Sequence, residues 1–524
     1  MSGTTTAWDA LLGLGLAAAY GCQALRWLRV LQREHYEASS MIRFRLRWLN
    51  PAVSSVRAAR FWRVRPITLT HVLLVALVVL LALDLDRWAV AVTIAFGLFT
   101  PWGLSLKGRT GKLDWTRRLK TVAVFSSVLG ALIVAAGLAS PRPWILGALV
   151  VWFAPAILSV TALLLAPYER RRAQNYVDQA VARLTRVRPL IVGITGSYGK
   201  TSTKRHLAAL LARGGGVVSS PRSFNNRAGL SRAINENLAD DTKVFIAEMG
   251  TYGPGEIAEL CSWCPPTIAV VTAIGPVHLE RMKSLDVIEH AKFEITDPAR
   301  SVVLNVDDER LAGWVERLES RGKKVRTTGS STISASVRVF DHDGRWHVSV
   351  DGDDVGSFEH AGGLQPTNLA CAIGAALEIG ASVETIVAQF ERVTPVENRS
   401  NVAVVASGVT VVDDTFNANP ASARAAITLL AGLGLSGRKV VVTPGLIELG
   451  STQGDENALL AREISAVGAQ LAVVGRTNAA SLTRGYPGVV ERFDTREKAV
   501  AWVRATLVRG DGVLYLNDLP DHYP

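Results

Sequence analysis

Cysteine is scarce in this chain, four among 524 residues, so a disulfide framework is not what holds it together. Cys261-Ser-Trp-Cys264 has the spacing of a redox pair or half a zinc site. No second pair follows, and two buried reduced thiols are the expected state. Cys22 lies in an apolar run and Cys371 in an Ala-rich helical pattern, which suits packing. Positive charge is missing from residues 2–8, and the first apolar run lacks a clear small-residue cleavage site. Both absences disfavour a cleavable leader, so the first run is expected to stay attached. Acidic residues fall short of basic ones, 46 against 57, leaving a formal charge of +11. Such a surplus suits nucleic acid or a membrane surface, and the position of the Arg and Lys residues decides between them. No internal repeat or low-complexity stretch is evident.

What is present is unevenly distributed. Hydrophobic residues make up 48% of the chain and the mean hydropathy is +0.22, with the excess in the first third. Apolar runs at 9–25, 68–84, 88–105, 121–139 and 144–166 approach the length that crosses ~30 Å of hydrocarbon, so about five spans are expected. Arg26, Arg29, Arg33, Arg43, Arg45, Arg47, Arg57, Arg60, Arg63 and Arg65 fall between the first two runs. Lys107, Arg109, Lys112, Arg117 and Arg118 fall between the third and fourth, and Glu169-Arg170-Arg171-Arg172 follows the last. The alternate connectors, 84–87 and 140–142, are short and nearly neutral. This asymmetry places the basic loops and everything after about 168 on the cytoplasmic side of a multi-pass, bacterial-type inner membrane. The basic residues then read as topology and lipid contact, not a nucleic-acid site.

The remainder reads as α/β. Tyr176, Val177, Ala180, Val181 and Leu184 recur at helical spacing, giving an amphipathic linker helix over 168–189. Residues 189–195 form a short buried strand, Gly196-Ser197-Tyr198-Gly199 a tight loop, and Lys200 opens a helix through 211. Strand, glycine loop and helix is the setting for phosphate: backbone N–H groups cradle oxygens, Lys200 neutralises charge and the Thr201 hydroxyl can ligate Mg²⁺. The general pattern wants a glycine five positions before Gly199, where Ile194 stands, so the loop is a shorter Gly-x-x-Gly-Lys-Thr. A β-rich insertion is expected at 334–358, with a hairpin turn at His342-Asp-Gly-Arg. C-terminal strands are expected at 402–405, 409–412, 439–443 and 471–474.

Further segments follow in a fixed order: Ser223-Phe224-Asn225-Asn226 with Gly229-Leu230, Glu248-Met-Gly250 with Gly255-Glu256, Thr272-Ala-Ile-Gly275-Pro-Val-His278-Leu-Glu280, and Ala291-Lys292-Phe-Glu294. Together with the glycine loop they resemble the Mur ligase family. Asp413-Asp414-Thr-Phe-Asn417-Ala-Asn419-Pro420 is similar to a segment of the branch that adds the D-alanyl-D-alanine dipeptide. Glu448-Leu449-Gly450 partly matches the same branch, with Pro444-Gly445 departing from it. Leu364 stands where the family usually has His, Asn398 where it has Gly, and the ending 516–523 departs from its usual close. The acids in that ending could bind an amine or form an exposed tail.

The apolar runs give an α-helical membrane segment of about five spans (1–167) and the helical spacing the linker (168–189), while strand and helix alternation, in line with the resemblance, gives a P-loop doubly wound central ATP-binding domain (190–393) and a smaller Rossmann-like C-terminal domain (394–524). The resemblance implies catalytic roles for Lys200, Asn226, Lys292 and Arg399. It implies ATP contacts from Gly196, Ser197, Gly199, Lys200, Thr201, Ser202, Asn368, Arg399 and Asp414. Mg²⁺ would be held by Thr201, Glu248, His278 and Lys292, the last as a carbamate. The implied activity is ADP-forming amide ligation through an acyl phosphate, joining a muropeptide-type carboxylate to an amino acid or D-alanyl-D-alanine-like amine. Family members usually begin with a soluble UDP-gripping domain where this chain has apolar runs, so UDP-linked and lipid-linked acceptors both stay open. A non-muramoyl, polyglutamate-like polymer is a further alternative. An ATP-driven transporter or sensor is disfavoured, because the runs carry almost no charge for coupling.

Overall fold

The structure, a computed structural model, describes residues 2–34, 66–101, 113–137, 143–221, 224–359, 364–394, 401–415 and 418–517, with Leu104 and scattered positions between 36 and 64. It divides into two compact units. The first takes residues 1–171, 475–480 and 519–524, and the second 172–474 and 481–518.

The first unit is helical, with helices Ser2–Arg33, Pro66–Ala82, Asp86–Phe99, Arg117–Gly137, Pro143–Trp152 and the start of Ala154–Val187. A short antiparallel hairpin pairs β1 (Val56–Ala59) with β2 (Trp62–Val64). The first four expected runs fall largely on single helices and the fifth on two, Pro143–Trp152 and Ala154–Val187, but the count of five spans is not supported. Among the described residues only Arg117–Ala136 is long and apolar enough to cross a membrane. The count is two if the pair Trp144–Trp152 and Ala154–Val187, bent by 72°, is one span. Length is part of the reason: 17 residues at Pro66–Ala82 and 14 at Asp86–Phe99 reach only about 25 and 21 Å.

The placement of Arg26, Arg29 and Arg33 in a connecting loop is also corrected, since all three lie on the first helix. Arg26 is buried, and its guanidinium donates to the carbonyls of Gly97 (3.2 Å), Leu98 (2.6 Å), Thr100 (2.9 Å) and Leu104 (3.0 Å). Those oxygens belong to the last turn of Asp86–Phe99 and the chain just beyond it. A helix end leaves such carbonyls without intrahelical partners, and a cation complements its negative pole. Gln23 adds a bond to Thr100 Oγ1 (2.6 Å) and accepts from Trp27 Nε1 (2.7 Å), so a helix face that reads as basic is a polar clasp.

The separate linker helix at 168–189 is replaced by one helix, Ala154–Val187, that continues through Pro167. In the second unit a nine-stranded sheet follows. Its strands are β3 (Leu190–Thr195), β4 (Val217–Ser219), β5 (Val244–Glu248), β6 (Ile268–Val271), β7 (Ser301–Asn305), β8 (Lys324–Gly329), β9 (Val337–His342), β10 (Arg345–Val350) and β11 (Asp353–Phe358). They lie in the order β11-β10-β9-β8-β7-β6-β3-β5-β4, parallel from β4 to β9 and antiparallel beyond. Alternation divides the side chains between two cores. Ile191, Phe245, Ala269 and Val302 meet helices Arg227–Asn237, Glu256–Trp263 and Leu285–Phe293 on one face. Val192, Ile246, Val270 and Val303 meet Lys200–Leu211 and the Ala-rich Pro366–Ile379 on the other. β9 to β11 are the expected insertion, and Asp343 (φ 53°) and Gly344 (φ 74°) make the left-handed pair that a two-residue hairpin requires.

The C-terminal sheet has the order β12-β13-β17-β14-β15-β16, with β12 (Asn401–Val404), β13 (Thr410–Asp414), β14 (Lys439–Thr443), β15 (Ala469–Val474), β16 (Glu491–Phe493) and β17 (Gly512–Leu516). Of these strands only β12 runs antiparallel to its neighbour. β17, absent from the sequence expectation, is a central strand, because a five-residue apolar run near the chain end carries no periodic signal of its own.

Candidate active site

The order of the central sheet reverses at β3, with β5 and β4 on one side and β6 onward on the other. Crevices at such switch points, beyond the carboxyl ends of parallel strands, are where α/β sheets bind ligands. The glycine loop leaves β3 there. Gly196 has φ 149° and Gly199 φ 80°. A Cβ on Gly196 would come within 2.0 Å of Thr272 Oγ1, and one on Gly199 within 2.1 Å of Asn368 Oδ1. Both glycines are therefore fixed by neighbours as well as by backbone. Asn368, on the first turn of Pro366–Ile379, lies directly over the loop, while Leu364 is buried in the core beneath.

Lys200 begins the helix, and its Nζ donates to the Gly196 carbonyl at 2.7 Å. Thr201 Oγ1 donates to Glu248 Oε2 at 2.9 Å, and Ser202 is buried on the same turn. Ser197 instead ties the loop to the segment after β6, its hydroxyl donating to Gly275 O (3.0 Å) and accepting from Gly275 N (2.9 Å). Tyr198 packs against Gly275 and its carbonyl accepts from Thr272 Oγ1.

Glu248 ends β5 fully buried. Lys204, one turn beyond Lys200, donates to its Oε2 at 2.9 Å, and Asn225 Nδ2 donates to Oε1 at 3.1 Å. Burial alone would push this carboxyl up, but Lys204, Lys200 and the Asn225 bond outweigh it and hold it below the ordinary carboxylate range. Lys292 is buried on Leu285–Phe293, and burial, reinforced by the charge of Lys200, holds its ammonium well below the usual lysine range. Thr201 and Glu248 are thus joined directly, and the charge of Lys200 bears on both Glu248 and Lys292.

Asn226 takes a different part from its neighbour. It caps Arg227–Asn237 by accepting from Gly229 N at 2.9 Å, and Asn225 is the one that meets Glu248. His278, at φ 54°, has Nδ1 against Glu448 Oε2 from the C-terminal domain, and its ring lies 4.6 Å from that of Tyr252. Asp414 is buried at the end of β13, its carbonyl accepting from Asn517 N at 3.0 Å. Asn419 caps Pro420–Gly432 in a reciprocal pair with Ser422. Arg399 and Asn417 lie outside the described residues.

Sequence reasoning named Asn225 and Glu448 within their segments without giving either a role, and passed over Lys204 and the Asn305-Val-Asp307-Asp308 run. The run's signal was there, two acids after a buried strand. Asp307 accepts from the backbone of Ser330 (2.6 Å), Ser331 (3.1 Å) and Thr332 (2.8 Å), and Asp308 from Ile274 N (2.7 Å).

Whether these residues suit Mg²⁺ can be judged from their chemistry. No three His, Cys, Asp or Glu side chains converge among the described residues. Mg²⁺ commonly takes one or two carboxylates, a hydroxyl and substrate phosphates instead of an all-protein cage. Thr201 and Glu248 supply hard oxygens beside the phosphate loop, and the donor set fits.

Residues 194–376 match the model of the Mur ligase middle domain, and residues 398–516 that of the Mur ligase glutamate ligase domain. The chain is 38% identical over 248 residues to the UDP-N-acetylmuramoyl-tripeptide--D-alanyl-D-alanine ligase of Mycobacterium tuberculosis, covering 46% of this chain and 48% of that protein. With the enzyme of the same name from Escherichia coli K12 it shares 28% over 272 residues, 50% of this chain and 59% of the other. The chain thus spans about half the length of these curated relatives. Among solved structures, the MurF ligase from Thermotoga maritima in complex with ADP superposes with a TM-score of 0.59 at 24% identity, over 66% of this chain and 80% of that one. MurF from Acinetobacter baumannii gives 0.58 at 22%, over 66% and 77%. At these identities the likeness is one of fold.

Proposed function

The chain belongs to the Mur ligase family, and from that membership we propose that it is an ATP-dependent, ADP-forming amide ligase of the peptidoglycan-precursor type. The observation that carries the reading is the joining of Thr201 to buried Glu248 beside a glycine loop whose lysine reaches back over it. A phosphate site alone would need no such carboxylate. A phosphoryl-transfer site does.

In the proposed reaction a substrate carboxylate oxygen attacks the γ-phosphorus of ATP and ADP leaves. The nitrogen of the incoming amine then attacks the carbonyl carbon of the acyl phosphate. Phosphate departs with the carboxylate oxygen, the nitrogen loses a proton, and an amide remains. The N–H groups that open Lys200–Leu211 face the phosphates, and Lys200 exchanges the Gly196 carbonyl for a phosphate oxygen. Asn368 fixes the edge of the loop, and Asn225 orients Glu248. Thr201, Glu248 and His278 would hold Mg²⁺, which would supply charge neutralisation to the transferring phosphoryl group when bound. Lys292, disfavoured as an ammonium, is suited to add CO₂ at its neutral amine and release a proton, becoming an anionic oxygen donor. Arg399 and Asp414 are assigned to alignment of the C-terminal domain and the nucleotide.

We assign the carboxylate to a muropeptide and the amine to D-alanyl-D-alanine or a similar amino acid, as the name of the mycobacterial relative suggests. The first unit we read as embedded in the membrane, with the ligase region cytoplasmic. The basic flanks support that orientation.

The test uses purified full-length protein with ATP, Mg²⁺, D-alanyl-D-alanine and either UDP-linked or lipid-linked muramoyl tripeptide. ADP release that depends on the amine, and a product heavier by the dipeptide less water, are expected with one of the two. Lys200→Ala should abolish both. The mass of the product distinguishes a muropeptide from any other polymer acceptor. Amine-independent ATP turnover that survives Lys200→Ala would refute the ligase assignment.

A further inference from the structure

We propose that Glu448 is a positioning residue that completes the metal site from the C-terminal domain, by fixing the orientation and tautomer of His278. The inference rests on reading His278 as a metal ligand, as above.

A carboxylate only accepts, so the His278 nitrogen against it, Nδ1, must carry hydrogen. In the neutral imidazole that metal binding requires, this leaves Nε2, on the far edge of the ring, as the nitrogen with a lone pair. This is the arrangement by which carboxylates orient metal-binding histidines from behind. Tyr252, in the loop that leaves β5 just after Glu248, holds the ring in place at 4.6 Å, and the Arg281 guanidinium lies 5.0 Å from the centre of the Tyr252 ring. The histidine is thus set between the ring of Tyr252, in the loop after β5, and a carboxylate from the C-terminal domain.

Glu448 is presented by a fastened loop. It has φ 63°, a left-handed conformation rarely adopted by glutamate, opposite His278 at φ 54°. Residue strain of this kind persists where surrounding structure over-determines it and gathers at functional sites. Fully buried Asn457 holds the loop by accepting from Leu446 N (2.8 Å) and donating to Leu446 O (2.9 Å). Asn517 Nδ2 donates to Gly445 O (2.7 Å), linking the loop to the end of β17. Because the carboxylate arrives with the C-terminal domain, cation affinity and domain position must be coupled, and the coupling is reciprocal.

The experiment titrates Mn²⁺ into full-length protein with saturating ADP, reading free Mn²⁺ by electron paramagnetic resonance. The variants are His278→Ala, Glu448→Ala and Glu448→Gln, with thermal unfolding and ADP affinity in the absence of metal as controls. His278→Ala should weaken Mn²⁺ binding, and Glu448→Ala should weaken it by about 10- to 100-fold. Glu448→Gln, whose amide oxygen still accepts from Nδ1–H, should recover much of the loss. If His278→Ala weakens binding and Glu448→Ala does not, Glu448 is a structural contact only and the proposal fails. If His278→Ala has no effect, the metal-ligand reading itself falls. An equal loss of Tm in both Glu448 variants with unchanged Mn²⁺ affinity would likewise overturn the proposal.

Discussion

The pair Lys204–Glu248 allows the strongest test of the site's construction. Their side chains are 3% and 1% exposed, with Nζ and Oε2 2.9 Å apart. Breaking a buried pair by removing one partner typically costs about 3–5 kcal/mol, since the survivor keeps its desolvation penalty without compensation. Replacing both by apolar or neutral groups of similar volume is often close to neutral. Lys204→Met and Glu248→Gln should therefore each lower stability by about 3–5 kcal/mol. For a domain of this size that is a fall of roughly 6–20 °C in Tm. The double variant should lie within about 2 kcal/mol of the parent, giving a large coupling energy in the cycle. Thermal unfolding of the three variants at constant pH and salt measures it. Turnover should behave differently and be absent from both variants lacking Glu248, whatever their Tm. If the double variant loses the sum of the two single losses, the residues do not act as a pair and the account of Glu248 fails.

Three further outcomes follow from single residues. Gly199→Ala should cost about 1–2 kcal/mol for its left-handed backbone and displace the Asn368 amide, weakening ADP binding measured by calorimetry. Adding Asn368→Ala should relieve the clash but not the backbone cost. Lys292→Met removes a buried amine whose charged form is disfavoured, so Tm should hold or rise while amine-dependent ADP release disappears in a coupled assay. His206 is buried on the helix after the glycine loop, and burial, with the nearby Arg205, lowers its pKa to about 4. The unfolded chain takes up this proton below about pH 6.5 and the native state does not until about 4. Its stability contribution is thus complete above about 6.5 and falls by about 3 kcal/mol as pH drops through that window. Urea denaturation of His206→Gln should show a correspondingly flatter dependence on pH.

The parts of this fold legible in the sequence were those with a strong local signal. Lys200–Leu211 and β14 stand where expected because a glycine loop and a β-branched run each declare one structure. The turn at Asp343-Gly344 was legible for the same reason. β17 was not, since its central place in the sheet comes from pairing with β13 and β14, both far earlier in the chain. Arg26 misled because charge beside an apolar run resembles a loop, while its partners are carbonyls some seventy residues on. The site followed the same rule. Thr201 and Lys200 were visible as a motif, whereas the division of labour between Asn225 and Asn226 depends on which of two adjacent amides the helix takes as its cap.

The charges around Glu248 constrain the chemistry further. Lys200 and Lys204 both bear on this buried carboxylate, Lys200 bears on Lys292 as well, and Lys204 already holds the carboxylate ionised. A divalent cation at Glu248 would therefore meet an ammonium competing for the same oxygens, at several-fold greater strength than in water because the pair is buried. Binding there demands added negative charge nearby. The phosphates of ATP supply some of it at the mouth of the glycine loop. Lys292 supplies more if it turns from a potential cation into an anion, a change of up to about two charges at one buried position. On the proposed reading, the depressed basicity of Lys292 and the Lys204–Glu248 pair are two sides of one requirement, a site neutralised from outside by nucleotide and CO₂ together. On that argument, removing CO₂ should weaken Mn²⁺ binding in the presence of ADP and leave ADP binding in the absence of metal nearly unchanged, and equal losses in both would refute it.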